Sequence, residues 1–191
     1  MAESPMLNWI NEQSTLMTDL VTNWASHNTH SKNLVGLRQL ETALVSAFDS
    51  LGGYSELVSL QHPSFEPGRA IKITKRPKAP IQLLLSGHYD TVFPLSHPFQ
   101  TVTLKESNIL QGPGVLDMKA GLVIMLKSLE AFEKFCPQNN QIGWTVLITP
   151  DEEIGSPASK NLIIHHAKLA DIGMVFEPCL PNGDLVSARK G

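Results

Sequence analysis

A three-layer α/β sandwich with a mainly parallel central sheet is the fold class this sequence predicts, and two observations predict it. Short apolar runs of strand length alternate with longer stretches of helical period along the chain. The polar residues that stand out either follow an apolar run or sit in a glycine-rich loop that opens a helix. Ligands of open α/β sheets bind just outside the carboxyl ends of the strands, so this placement marks one sheet edge as the candidate site.

Taken in order, residues 6–28 carry Leu7, Ile10, Leu16, Leu20, Val21 and Trp24 near helical spacing. A second helix is expected from about Asn33 to Leu51, with Leu34, Leu37, Leu40, Leu44, Val45 and Phe48 on one stripe, ended by Gly52-Gly53. His27 and His30 lie in the polar connection and are read as scaffold. Tyr54–Leu60 and Arg69–Thr74 read as strands separated by a proline- and glycine-bearing turn. Lys75-Arg76-Pro77-Lys78-Ala79-Pro80 is a basic loop, better explained as a solvated turn than as an anion site.

The run Ile81–Leu85 reads as a buried strand and is followed by Gly87-His88-Tyr89-Asp90-Thr91-Val92. In extended geometry, side chains at i and i+2 share a face, which puts His88 beside Asp90. Residues Thr101–Leu104 and Ile109-Leu110 suggest a hairpin. Gly112-Pro113-Gly114-Val115-Leu116-Asp117-Met118-Lys119 then leads into a helix from about Lys119 to Phe135. It contains neither GxGxxG nor GxxxxGK[ST], so a phosphate cradle is poorly supported. Gly143–Ile148 is a further strand, leaving into Asp151-Glu152-Glu153, three acids that a solvated turn would also explain. A helix over Pro157–His166, a strand over Ile172–Phe176 that delivers Glu177, and the start of another strand at Leu185-Val186-Ser187 complete the pattern.

Composition narrows the function classes. With 191 residues and 42% hydrophobic content, the chain can bury the core of one domain or of part of a larger one. A formal net charge of -3 argues against nucleic acid or an anionic membrane held by bulk charge. Cys136 and Cys179 have no zinc-knuckle spacing. Met1-Ala2-Glu3-Ser4-Pro5 opens no secretory signal, and no apolar run is long enough to span a bilayer, so a cytoplasmic protein is expected.

The candidates are therefore His88, Asp90, Asp117, Glu152, Glu153 and Glu177. An imidazole among carboxylates, with no cysteine ligand, suits zinc or a harder ion such as manganese or cobalt. Divalent cations relieve the repulsion of crowded carboxylates, and one carboxylate can bridge two ions. A further acid must stay off the metal to accept a proton from water, and adjacent Glu152 and Glu153 can divide these tasks. No GxSxG or Cys/His signature supports a serine or cysteine nucleophile.

The motifs His88-Tyr89-Asp90-Thr91-Val92, Gly112–Lys119, Asp151-Glu152-Glu153-Ile154-Gly155-Ser156 and Phe176-Glu177-Pro178 resemble the co-catalytic zinc metallopeptidases related to glutamate carboxypeptidase, acetylornithine deacetylase and aminoacylase. Their order, and the ending Ala188-Arg189-Lys190-Gly191, are most similar to the glutamate carboxypeptidase branch. Ala120 departs from the pattern, which usually has glycine there. The resemblance implies a zinc exopeptidase-like fold and two metal ions, zinc above cobalt or manganese. It implies that His88 and Glu177 bind one ion, Asp117 bridges, Glu153 binds the second, Asp90 orients His88, and Glu152 is the general base. It also implies a cis peptide after Asp117. The implied reaction is hydrolysis of an amide next to a free carboxylate, by a metal-activated water, on a small peptide or N-acyl amino acid.

The same resemblance leaves residues 1–191 as the N-terminal portion of a catalytic domain. A lid domain that mediates homodimerisation and a second histidine ligand are expected beyond it; none of His97, His165 or His166 sits in a matching context. The alternative reading is a truncated, inactive metal-binding fragment.

Overall fold

The computed structural model describes residues 4–106, 109–180 and 182–186. Proline at the first turn opens helix α1 (Pro5–Glu12), where its missing N–H costs nothing. The first helical stretch is two helices rather than one. The chain turns at Gln13, whose N–H bonds to the Ile10 carbonyl at 3.0 Å, before α2 (Ser14–Ala25). That turn lets α1 pack on the far end of the long helix α4 (Ala120–Phe135), with the Trp9 and Phe135 rings 6.1 Å apart.

Helix α3 (Leu34–Phe48) is capped by Asn33, whose Oδ1 accepts the Gly36 N–H, and runs through one 3-10 turn to Gly52 at φ 65°. Its buried stripe is Leu37, Leu40, Leu44 and Phe48, as the spacing predicts.

Among the described residues seven strands follow: β1 (Tyr54–Val58), β2 (Ala70–Lys75), β3 (Ile81–His88), β4 (Thr103–Lys105), β5 (Ile109–Gln111), β6 (Ile142–Thr149) and β7 (Ile172–Val175). Five form the main sheet in the order β1-β2-β6-β3-β7, and β4-β5 form a separate hairpin. The sheet is mixed. Its expected parallel character is confined to β6-β3-β7, whereas β1-β2 and β2-β6 are antiparallel. The physical reason lies in the connections, since a parallel pair needs a long crossover and residues 59–69 between β1 and β2 contain no helix.

The alternation of side chains along β2, β3 and β6 gives the sheet two buried faces. Ile71, Ile73, Leu85, Trp144, Val146 and Ile148 join the stripes of α2, α3 and α4 in one core. Ala70, Leu84 and Leu147 face the other way, against Leu162 and Ile163 of α5 (Lys160–Ala167). Helices thus cover both sides, and three layers result.

The basic loop is neither an anion site nor a free surface turn. Arg76 donates from Nη1 to Glu133 at 2.9 Å and from Nε to the Ile142 carbonyl at 2.7 Å, and Lys75 pairs with the same glutamate at 2.9 Å. Leu185 and Val186 are described but form no strand, and Ser187 to Gly191 lie outside the described residues, as do Met1 to Glu3.

Candidate metal centre

Strands β3 and β6 run parallel and in register, with His88 opposite Thr149, so both polar exits open on one edge. Strand β7 pairs with β3 on its other side and delivers Glu177 there. Asp117 arrives from the glycine loop. Gly114, at φ 68°, lies so close to Thr91 and Lys119 that a Cβ would meet Thr91 Cγ2 at 2.8 Å. After Gly114 the chain kinks through Val115–Lys119, where Asp117 and Met118 have non-helical backbone angles and the expected cis peptide joins them. Met118 is fully buried under His88, and its sulfur lies 3.1 Å from the His88 backbone nitrogen.

Three of the four expected ligands converge. His88 Nε2 lies 3.1 Å from Asp117 Oδ1 and 3.4 Å from Glu177 Oε1, and the three donor atoms all fall within 4.8 Å of one another. Glu152 Oε2 is 3.7 Å from the same nitrogen. The Glu153 carboxylate is not part of the three-residue group, but it feels the Asp117 charge nearby. His97, His165 and His166 are elsewhere; His97 packs on Phe93, and the two α5 histidines meet edge to face.

Asp90 does more than face His88. The imidazole Nδ1 is 3.1 Å from the Asp90 backbone carbonyl and 3.2 Å from its Oδ1. With Nδ1–H directed at Asp90, the proton that a metal ion would displace is the one on Nε2, which is turned toward the carboxylates. The two oxygens of Asp90 also accept the backbone N–H groups of Glu152, at 3.1 Å, and Glu153, at 3.2 Å. Of the three consecutive acids, Asp151 is buried and structural, since its Oδ2 accepts the N–H groups of Ala158 and Ser159. Glu152 is half-exposed, with its Oε2 turned toward His88 Nε2.

Electrostatics fit a cation. Burial opposes a charge on His88, but the hydrogen bonds it donates to Asp117, Asp90 and Glu177 outweigh it and push its pKa to about 12. The bond to His88 holds Asp117 below the usual carboxylate range. Burial, reinforced by neighbouring carboxylates, pushes Glu152 up, and burial with Asp117 pushes Glu153 to about 7. One imidazole facing several crowded carboxylates is a donor set for a divalent ion, whose charge removes that repulsion. Sequence reasoning missed Ser31, whose hydroxyl donates to Asp90 Oδ2 at 2.6 Å from 59 residues away, and left unassigned the buried Lys119, whose Nζ donates to the His27 carbonyl at 3.0 Å. The position of Lys119 two residues after Asp117 was a signal for the second; no spacing signals the first.

Residues 84–190 match peptidase family M20/M25/M40. The chain belongs to this family. Carboxypeptidase G2 of Pseudomonas sp. (strain RS-16) is 36% identical over 96 residues, which span 50% of this chain and 23% of that protein. Human carnosine dipeptidase 1 superposes with a TM-score of 0.72 at 17% identity, over 89% of this chain and 40% of that one. The M20 family metallo-carboxypeptidase Sso-CP2 from Sulfolobus solfataricus gives 0.70 at 19% identity, over 87% and 38%. At such identities the structural likeness speaks for the fold. The chain spans about a quarter of the length of the curated relative it matches and about two fifths of these solved neighbours. M20 metallopeptidases are metal-dependent, and His88, Asp117 and Glu177 supply the donors that such an ion needs. Among the described residues no helix is long and apolar enough to cross a membrane.

Proposed function

We propose that this sequence encodes the metal-binding half-site of a hydrolase that cleaves an amide bond next to a free carboxylate, on small peptides or N-acyl amino acids. The observation that carries it is the convergence of His88, Asp117 and Glu177, with Glu152 poised 3.7 Å from the imidazole. The likeness to a protein named Carboxypeptidase G2 supports the carboxypeptidase form of the reading.

His88, Asp117 and Glu177 would hold the first of two zinc ions, and Asp117 with Glu153 would face the second. When bound, such ions lower the pKa of water and polarise a carbonyl. Glu152 takes the proton of the attacking water and passes it to the leaving amine, so the C–N bond breaks with a neutral amine departing. Its raised pKa suits both halves of that task, because a carboxylate that is too acidic would return the proton poorly. Asp90 keeps Nδ1 of His88 protonated and so keeps Nε2 available.

In the complete protein a lid domain would mediate homodimerisation, with neither nucleic acid nor membrane as partner. The compartment we propose is the cytoplasm, in keeping with Cys136 and Cys179 both being free. A second reading, a metal-binding fragment without turnover, is favoured by the chain spanning only 40% of its neighbour. The test is to measure zinc content after dialysis and hydrolysis of N-acyl amino acids and C-terminal glutamyl amides, in a protein extended to the length of its relatives. Zinc-dependent release of a free amino acid, lost in H88A, is expected. Turnover that survives both chelation and H88A would overturn the proposal.

A further inference from the structure

The linker between α2 and α3 forms the back wall of the metal centre, although it lies outside residues 84–190 that carry the family match. It is stitched to the site at several points. The Thr91 N–H donates to the Thr29 carbonyl at 2.9 Å, Lys119 Nζ to the His27 carbonyl at 3.0 Å, and Ser31 Oγ to Asp90 Oδ2 at 2.6 Å. The linker is itself rigid. Asn28 Nδ2 donates to the Phe93 carbonyl and to Gln100 Oε1, and Asn33 Nδ2 donates back to the Asn28 carbonyl. Gly36 lets α3 start against that carbonyl, since a Cβ there would lie 1.8 Å from the Asn28 oxygen.

We infer that Ser31 is a positioning residue for the metal centre, acting through Asp90. The argument is a count of lone pairs. A carboxylate offers about four acceptor sites, and Asp90 is fully buried. Its Oδ1 faces His88 Nδ1 at 3.2 Å and accepts the Glu152 N–H at 3.1 Å. Its Oδ2 accepts the Glu153 N–H at 3.2 Å and the Ser31 hydroxyl at 2.6 Å. Three hydrogen bonds hold the two oxygens and the imidazole Nδ1 faces the fourth site, so the plane of the carboxylate is fixed. That one plane sets the aim of the His88 ring and the position of the Glu152-Glu153 turn together. Ser31 makes the shortest of the four contacts and comes from outside both elements, so among the described residues it is the contact that ties the Asp90 carboxylate to the helical layer. Without its hydroxyl, Oδ2 keeps a single donor at 3.2 Å and the carboxylate can rotate, swinging imidazole and turn out of register.

The inference rests on His88, Asp117 and Glu177 binding metal, and the experiment separates the two claims. Zinc affinity of the whole chain is measured by competition with a chromophoric chelator, and the visible spectrum of the cobalt-substituted protein is recorded. Wild type, S31A, S31T and H88A are compared, with urea unfolding as a control on the fold. Groups that orient a metal-bound histidine typically contribute 10–100-fold to affinity, and Ser31 acts one bond further out, so S31A should weaken zinc about tenfold. Its cobalt bands should shift, and S31T, which keeps the hydroxyl, should restore both. Wild-type affinity and spectrum in S31A, or equal damage in S31A and S31T, would overturn the role of Ser31 while leaving the metal site standing. If S31A does not fold, S31T is decisive, because wild-type affinity supports the role and a weakened site overturns it. Wild type that binds zinc no better than H88A overturns both claims.

Discussion

Glu152 and Glu153 are neighbours in sequence with the same side chain, and their backbone N–H groups meet the same carboxylate, yet their carboxyl groups are set up differently. Glu152 reaches to 3.7 Å from His88 Nε2, while Glu153 lies outside that donor group and is pushed to about 7 by burial and by Asp117. An acid held partly protonated by burial and by a neighbouring carboxylate gains most from a second cation. In the catalytically complete protein, E152Q should therefore keep its zinc while turnover falls by about 10²–10⁴-fold, the usual weight of a general base. E153Q should instead lose the more weakly held ion. Metal analysis beside steady-state kinetics distinguishes them; equal zinc loss in both variants, with activity recovered in excess zinc, would reverse the assignment. At this scale the sequence was informative wherever chemistry followed a strand, as at His88, Asp90 and Glu177. It was silent on Ser31, because a hydrogen bond spanning 59 residues has no period or spacing to betray it.

Among the elements, α4 and the segment just after β7 meet so closely that there is no room for a methyl group between them. A Cβ on Gly121 would lie 1.9 Å from the carbonyl oxygen of Phe176, the residue before Glu177. Backbone cannot yield as a side chain can, so G121A should push Glu177 away from His88. Overpacking of this kind costs about 1–3 kcal/mol of stability, and zinc affinity should fall with it, on the order of tenfold; chelator competition and urea unfolding read both. Ala120, the departure noted in the sequence, packs against the core with its methyl tolerated, so the close approach belongs to the next residue alone.

A second junction, on the opposite side of the fold, joins α4 to the β2–β3 loop. Burial works against charge on Glu133, but hydrogen bonds from Arg76, Trp144 and Lys75 hold its pKa down to about 2 against an ordinary 4.5. A depressed folded value means the stabilisation is complete above about pH 4.5 and is lost as pH falls toward 2. E133Q should cost about 1.5–3 kcal/mol at neutral pH, as for hydrogen bonds to a charged group. It should also flatten the acid limb of stability against pH; an unchanged limb would rule the junction out as its source. The basic residues of this loop were visible in the sequence and their partner was not, because pairing across 57 residues is set by tertiary packing.

At the scale of the whole molecule, the sheet is unequally covered. Its centre is fully buried, whereas Ile172 is 52% and Val175 68% exposed on edge strand β7, and Leu180, Leu185 and Val186 of the segment that follows are exposed too. The three-layer architecture was legible from alternating periods; the mixed strand order was not, since it depends on how connections turn. An exposed apolar edge next to the site invites pairing with another strand. On the proposed assignment, moreover, Asp117 and Glu153 alone would be left for a second ion, where zinc sites of this kind use about three protein donors each. We therefore expect this chain by itself to self-associate and to turn over slowly. Light scattering of the purified chain should show species larger than 21.0 kDa at micromolar concentration. Its kcat with saturating zinc should fall at least 10²–10³-fold below that of a protein extended to the length of its relatives, the loss that follows from one missing donor to a developing oxyanion. A monodisperse chain with the turnover of the extended form would sink this prediction, and would require a ligand that the described edge of the sheet does not supply.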